Sequence, residues 1–238
     1  KPFNREIKYI DRLRDINCIV NFEILGKNTI VMEQWDDDVM SLYEKGELDK
    51  SIFYKCITFL IDALIALNAK ELFYTDIKLD NILYRKKVEE DDTITYSFCL
   101  GDVGSICGES DDECDSTLTH NCLKYMVKDS LIQKWGTRKK WEQWVDSKTL
   151  SQLKQYDVKQ YVDWGKVKTE RFMILSVADL VYSVGGEMDD LPDIMQKALQ
   201  QKDYDYTLQN LKEQWQEWLS PVSSSPNSTV SSLAKLRF

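Results

Sequence analysis

The chain has 238 residues, 43% hydrophobic and 30% charged, so one core can bury most of the unfolded surface without disulfide or metal staples. This balance excludes a wholly disordered chain. With 31 Lys+Arg against 40 Asp+Glu the net charge is −9, which argues against a general nucleic-acid binder and suits a solvated acidic surface or cationic partners.

From Phe3 to Arg14, apolar Ile7, Ile10 and Leu13 recur at helical spacing. The turn-forming Gly26-Lys27-Asn28 separates 21–25 from 29–35, and the two runs are expected to pair as a hairpin. Asp36 to Asp38 are placed to cap a short helix ending near Gly46. The longest helical pattern runs from Leu48 to Lys70, with Phe53, Ile57, Leu60, Leu64 and Leu67 on one face and Asp49 at its start. Its most apolar part, Cys56 to Ala69, is interrupted by Thr58, Asp62 and Asn68 and reads as an amphipathic helix rather than a membrane span. A loop is expected over 73–81, then strands at 82–84 and 93–100 around a charged turn at 85–92.

The second half carries weaker patterns. Residues 109–115 form an acidic loop, and 128–165 interleaves basic residues with Trp135, Trp141, Trp144 and Trp164. Such interleaving occurs on nucleic-acid surfaces, but helices packing their tryptophans inward are the expectation here. Thr169 to Val184 predicts a strongly apolar, buried helix stopped by Gly185-Gly186, with further helices at 188–202 and 205–219. Residues 220–238 begin as a Ser/Pro-rich linker and are expected to be a disordered tail.

Six cysteines stand at 18, 56, 99, 107, 114 and 122, with no Cys-x-x-Cys pair and only His120 as a histidine. No zinc site is expected from them. Reduced thiols in an intracellular, cytoplasmic protein are the expectation. No signal-peptide pattern is present, but the sequence opens on Lys1 rather than Met, so this says little about targeting.

The chemistry-bearing segment is Phe73-Tyr-Thr-Asp76-Ile-Lys78-Leu-Asp-Asn81-Ile-Leu83, followed by Leu100-Gly-Asp102-Val-Gly104. Asp76, Lys78 and Asn81 share a loop between a helix and a hairpin, and Asp102 lies in a Gly-flanked turn at the hairpin's far end. If 82–85 and 94–100 pair antiparallel, that turn returns beside the loop. Two carboxylates, an amide and an ammonium then converge. Asp and Asn oxygens are hard ligands suited to Mg²⁺, a lysine can neutralise a transferring phosphoryl group, and the other carboxylate can accept a hydroxyl proton.

This arrangement resembles the C-terminal lobe of eukaryotic-type protein kinases, whose catalytic loop is H-R-D-L-K-x-x-N and whose metal motif is D-F-G. The resemblance implies an α+β, protein-kinase-like fold: a partial, reduced N-terminal β-sheet lobe over 1–35 and a mostly helical lobe over 36–219. It implies Asp76 and Lys78 as catalytic residues, and Asn81 and Asp102 as Mg²⁺ ligands. It places Glu6 on the helix that pairs with the family's strand lysine, Met32 as gatekeeper, the backbone of Glu33 to Trp35 against adenine, and Asp38 near the ribose. The implied cofactors are ATP and Mg²⁺. The implied activity is phosphoryl transfer to a serine or threonine of a protein substrate, with neither nucleic acid nor membrane as partner. Lys78, two residues after Asp76, is the serine/threonine-type residue and speaks against a small-molecule kinase. The likeness is good over 3–105, loose over 168–219 and slight over 106–167.

Departures from the family are equally specific. The 238 residues contain no counterpart of the glycine-rich loop or strand lysine, and no clear A-P-E. Tyr74-Thr75 replaces His-Arg, which removes the arginine that would pair with an activation-loop phosphate. Val103 replaces the metal-motif Phe, with Tyr74, Ile10 and Ile24 as its companions in an apolar column. Met173 takes the place of an aspartate on the buried helix. These departures carry the rival expectation of a pseudokinase, an interaction scaffold without turnover.

Overall fold

Asp49 fixes the start of the longest helix, Lys50–Asn68, by accepting a hydrogen bond from the Ile52 amide. Ten residues of this helix are buried, including the predicted stripe Phe53, Ile57, Leu60, Leu64 and Leu67. In the computed structural model, residues 8–26, 29–156, 158–185, 187–201 and 205–220 are described. Glu6, much of the first predicted helix, Lys27-Asn28 and almost all of the predicted tail lie outside them. Among the described residues, Lys50–Asn68 is also the one helix long and apolar enough to cross a membrane by length and composition. It packs against Leu208–Leu219, where Lys212 pairs with Asp62 at 2.8 Å and the Trp215 indole donates to Thr58 Oγ1 at 2.9 Å. Two of the three polar interruptions read from the sequence, Thr58 and Asp62, thus face a partner helix.

The architecture is α+β, mostly helical, with three small antiparallel sheets. Strands β1 (Phe22–Leu25) and β2 (Thr29–Met32) form the predicted hairpin, entered through Gly26 at φ +68°. Strand β3 (Asp37–Asp38) leads into the helix Val39–Glu44, which Asp38 caps through the Ser41 amide at 2.8 Å. Strands β5 (Ile82–Val88) and β6 (Ile94–Leu100) pair in register from Ile82↔Leu100 to Val88↔Ile94, and β3 adds to the β5 edge. The charged turn is therefore shorter than expected, because β5 runs on through Arg85, Lys86 and Lys87. The loop expected over 73–81 is also partly ordered. Strand β4 (Leu72–Tyr74) pairs with β7 (Ile106–Gly108), and Leu79–Asn81 is a 3₁₀ turn. A three-residue strand has too little periodicity to be read locally.

Helix Glu170–Ser183 is the most enclosed element, with every residue from Phe172 to Val181 buried and Thr169 capping it. Two apolar clusters pack against it, one built on the long helix and the strands and one built from 107–172. The second holds the predicted inward tryptophans. Trp141 is buried and stacks on Trp144 at 5.2 Å, with Trp135 edge-on at 5.7 Å. The N-terminal segment is fastened to this body at two points. Val20 donates to Leu100 O and Leu100 to Cys18 O, and the Tyr9 hydroxyl bonds Asp111 while accepting from the Gly108 amide.

The cysteines require one correction. Cys107 and Cys114 are joined in a disulfide rather than both reduced, closing the acidic loop that local sequence left unconstrained. Cys18, Cys56, Cys99 and Cys122 are free. Burial pushes the Cys18 thiol up to about 11 and those of Cys99 and Cys122 up to about 12; it also raises Cys56.

Two measurements check this description. Leu64→Ala should destabilise by about 2–5 kcal/mol in denaturant titrations, because the site is fully enclosed, whereas Asp49→Ala should cost about 1 kcal/mol through its lost cap. Thiol alkylation under native conditions at pH 8 should be slow, since the raised values keep the free thiols protonated. In denaturant, mass spectrometry should count four labelled cysteines without reductant and six with it. Six without reductant excludes the disulfide.

Candidate active site

The candidate site forms where the β5–β6 ladder ends. Ile82 faces Leu100, so the next residues outward, Asn81 and Gly101, lie side by side, and the Gly101 amide donates to Asn81 O at 2.8 Å. A Cβ on Gly101 would sit 3.2 Å from the Leu83 side chain and 3.5 Å from Asn81 O, so the close approach favours glycine. Asp102 follows directly. Its Oδ1 accepts from the Gly104 amide at 3.1 Å and its Oδ2 from the Ser105 hydroxyl at 2.6 Å, which fixes the carboxylate at the start of the 3₁₀ turn Val103–Ser105.

Asp76 is the most supported side chain of the group. The Lys78 ammonium donates to Oδ2 at 2.7 Å, the Asn81 amide donates to the same oxygen at 3.1 Å and to the Asp76 carbonyl at 2.8 Å, and the Thr117 hydroxyl lies 3.0 Å from Oδ1. Asp76 exposes 14% of its side chain and Lys78 42%, so the carboxylate is sheltered while the ammonium reaches solvent. Burial opposes the Lys78 charge, but the hydrogen bond and charge of Asp76, with Asp80 and Asp102 behind it, hold its pKa above the ordinary value. Beneath the loop, burial raises the Tyr74 phenol well above its ordinary value, and the Asp102 and Asp76 carboxylates push the same way.

The structure therefore brings together Asp76, Lys78 and Asn81, with Asp102 on the adjoining turn. It adds two residues that sequence reasoning missed. Ser105 carried a weak local signal, a hydroxyl three residues after an aspartate. Thr117 carried none, since it reaches Asp76 across 41 positions of sequence from the loop near the disulfide. Thr75, beside Asp76, is fully buried, and its hydroxyl contacts the Ser105 and Asp115 carbonyls. Thr75 thus ties this loop to the segments after Asp102 by neutral contacts.

The other residues expected to contact nucleotide lie at the end of β2, on the segment after it and at the cap of the helix Val39–Glu44. Glu6 lies outside the described residues. Met32 is 55% exposed at the end of β2. Together with Glu33 it lines a cleft of about 810 Å³ against residues 13–24, which includes none of Asp76, Asn81 and Asp102. The Glu33 side chain is held below its ordinary pKa by hydrogen bonds from Arg85 and Asn21. Its amide donates to Asn21 O, and Gln34 O accepts from Arg85, whose guanidinium lies 4.6 Å from the Trp35 ring. Asp38 faces Leu83 across β3–β5, two residues from Asn81, but its side chain caps a helix. In the apolar column, Val103 and Tyr74 are buried in one core while Ile24 is 37% exposed on the hairpin and takes no part in it.

The donor set fits a hard divalent cation. The Asn81 nitrogen is committed to Asp76, which turns its amide oxygen to the other side of the planar group, and Asp102 supplies carboxylate oxygens from the neighbouring turn. Among the described residues no group of three or more His, Cys, Asp and Glu side chains is arranged to hold a metal. Mg²⁺ characteristically takes one or two protein oxygens and completes its shell with phosphate and water, so two donors are a sufficient protein contribution. Compared with known proteins, the sequence matches no family model and no curated protein.

Proposed function

We propose that this chain has a divergent protein-kinase-like fold and transfers phosphate from Mg-ATP to a serine or threonine hydroxyl of a protein. The observation that carries this reading is the threefold support of Asp76 by Lys78, Asn81 and Thr117, with Asp102 on the adjoining turn. A carboxylate held by several donors is oriented rather than free, and orientation is the main protein contribution in phosphoryl transfer. Asp76 positions the incoming hydroxyl and accepts its proton. Lys78, reaching solvent beside Asp76, stabilises charge on the phosphoryl oxygens. Asn81 Oδ1 and Asp102 would hold Mg²⁺, which would supply neutralisation of phosphate charge. Thr117 is a positioning residue, because it acts through Asp76.

A pseudokinase remains the second reading, favoured by Met173. It is fully buried and apolar where the family carries an aspartate on the helix beneath the loop. On that reading the same residues bind nucleotide or a partner protein without turnover.

Three measurements separate these outcomes. Mg-ATP should raise the melting temperature, and EDTA should cancel the rise; ligand at 100 times its Kd stabilises by about 2.7 kcal/mol. Asp102→Asn should lose both Mg-dependent binding and transfer, whereas Asp76→Asn should keep nucleotide binding while transfer falls about 10²–10⁴-fold. Full transfer by Asp76→Asn overturns the catalytic assignment. Nucleotide binding without transfer by the unsubstituted chain selects the pseudokinase. Thr117→Val should lower kcat with little change in the KM for ATP, and Thr117→Ser should restore it, because only the hydroxyl is needed to hold Asp76.

A further inference from the structure

A groove of about 960 Å³, the size of a small-molecule site, runs along the long helix Lys50–Asn68 and includes none of Asp76, Lys78, Asn81 and Asp102. Its lining on that helix extends from Lys50 to Asp62, about 18 Å at the helical rise per residue. Phe59 of the helix, Tyr96 and Phe98 of β6, and Leu219 at the end of the last helix make the walls mainly apolar. The Phe59 and Phe98 rings lie 6.0 Å apart and join the two walls.

The charges of the lining are divided between the two ends of this slot. Lys50 and Lys55 stand toward the helix start. Asp62 stands toward the other end and is neutralised by Lys212 at 2.8 Å. Tyr54 adds an unmet donor at the cationic end, four residues from Lys50 and next to Lys55. It is 8% exposed, its ring packs edge-on against Trp215 and Trp218, and among the described residues its hydroxyl has no hydrogen-bond partner. Burial raises its pKa, so the hydroxyl stays protonated. A buried hydroxyl without an acceptor is an exception that calls for a partner.

We infer that this groove binds a single-chain anionic amphiphile, a long-chain carboxylate. Its head group meets Lys50, Lys55 and the Tyr54 hydroxyl, and its hydrocarbon chain lies along Phe59, Phe98 and Leu219. The inference stands apart from the phosphoryl-transfer reading, because the two sites share no residue. Charge selects this occupant. An apolar molecule leaves the Tyr54 donor unmet, and a cationic one faces two ammonium groups. Residues 221–238, which follow the groove's edge in sequence, carry Lys235 and Arg237 and no acidic residue, so they match the cationic end poorly. The length of the slot suits an extended chain.

The test uses the whole chain and dodecanoate below its critical micelle concentration, followed by calorimetric titration and melting curves. Dodecanoate should saturate one site per chain and raise the Tm. Dodecanol and dodecylammonium, with the same chain and a neutral or cationic head, should bind at least about tenfold more weakly. These arms need no protein variant, so a folding defect cannot mimic them. Lys55→Gln, at an exposed position, should weaken dodecanoate binding about five- to tenfold. Tyr54→Phe should also weaken it without lowering the Tm of the free chain, because the hydroxyl it removes has no partner. Ser51→Trp fills the groove from an exposed position and should abolish binding. The inference is overturned if dodecanoate fails to saturate, if dodecanol or dodecylammonium binds as tightly, or if Ser51→Trp binds normally with an unchanged melting curve. It is also overturned if Lys55→Gln and Tyr54→Phe both bind dodecanoate as the unsubstituted chain does. Binding of a synthetic peptide of residues 221–238 where dodecanoate fails assigns the groove to that segment instead.

Discussion

The β5–β6 ladder is the constraint from which the rest of the site follows. Seven residue pairs fix its register, and the pair Ile82↔Leu100 decides which residues stand at its open end. Those residues are Asn81 and Gly101, and from them the chain continues into the Asp76 loop on one side and Asp102 on the other. A slip by one residue would reverse every side chain of one strand and separate Asn81 from Asp102. The same ladder carries the neighbouring parts. Strand β3 pairs along β5, setting Asp38 opposite Leu83, and Val20 and Cys18 hydrogen-bond around Leu100. The N-terminal segment, the short helix Val39–Glu44 and the site are thus hung on one pair of strands.

A second feature is the use of neutral hydroxyls where charged contacts are an alternative. Thr75 sits fully buried against the Ser105 and Asp115 carbonyls, and Thr117 reaches from the same loop to Asp76 and the Ile77 carbonyl. The Cys107–Cys114 disulfide and the Tyr9–Asp111–Gly108 bonds hold the intervening turn. Strand β7 begins at Ile106, immediately after the Asp102 turn, and pairs with β4, which ends at Tyr74. The loop is therefore pinned at several points. The single Thr117 proton is shared between the Ile77 carbonyl at 2.8 Å and Asp76 Oδ1 at 3.0 Å.

Much of this was legible locally because it depends on local chemistry. The Asp49 cap, the apolar stripe of the long helix, the Gly26 turn and the stop at Gly185 each follow from side chains within one or two turns of one another. The loop residues Asp76, Lys78 and Asn81 were legible for the same reason, since all three fall within six positions. Less was legible where partners are distant. Strand β4 is three residues long and exists because β7 lies beside it, and the disulfide depends on a turn the sequence does not signal.

The sequence by itself therefore determined the longer helices, the two hairpins, and the types of group available to the site: two carboxylates, an amide and an ammonium in two short motifs. These are set by backbone preference and hydrogen bonding over a few residues, which any window of the chain contains. Tertiary structure alone decided that Thr117 supports Asp76, that Met32 and Glu33 line a cleft apart from it, and that Leu219 lines the same groove as Tyr54 and Phe98. Each of these depends on segments far apart in the sequence. Such outcomes are fixed by which surfaces pack together, a property of the whole core that no local pattern encodes.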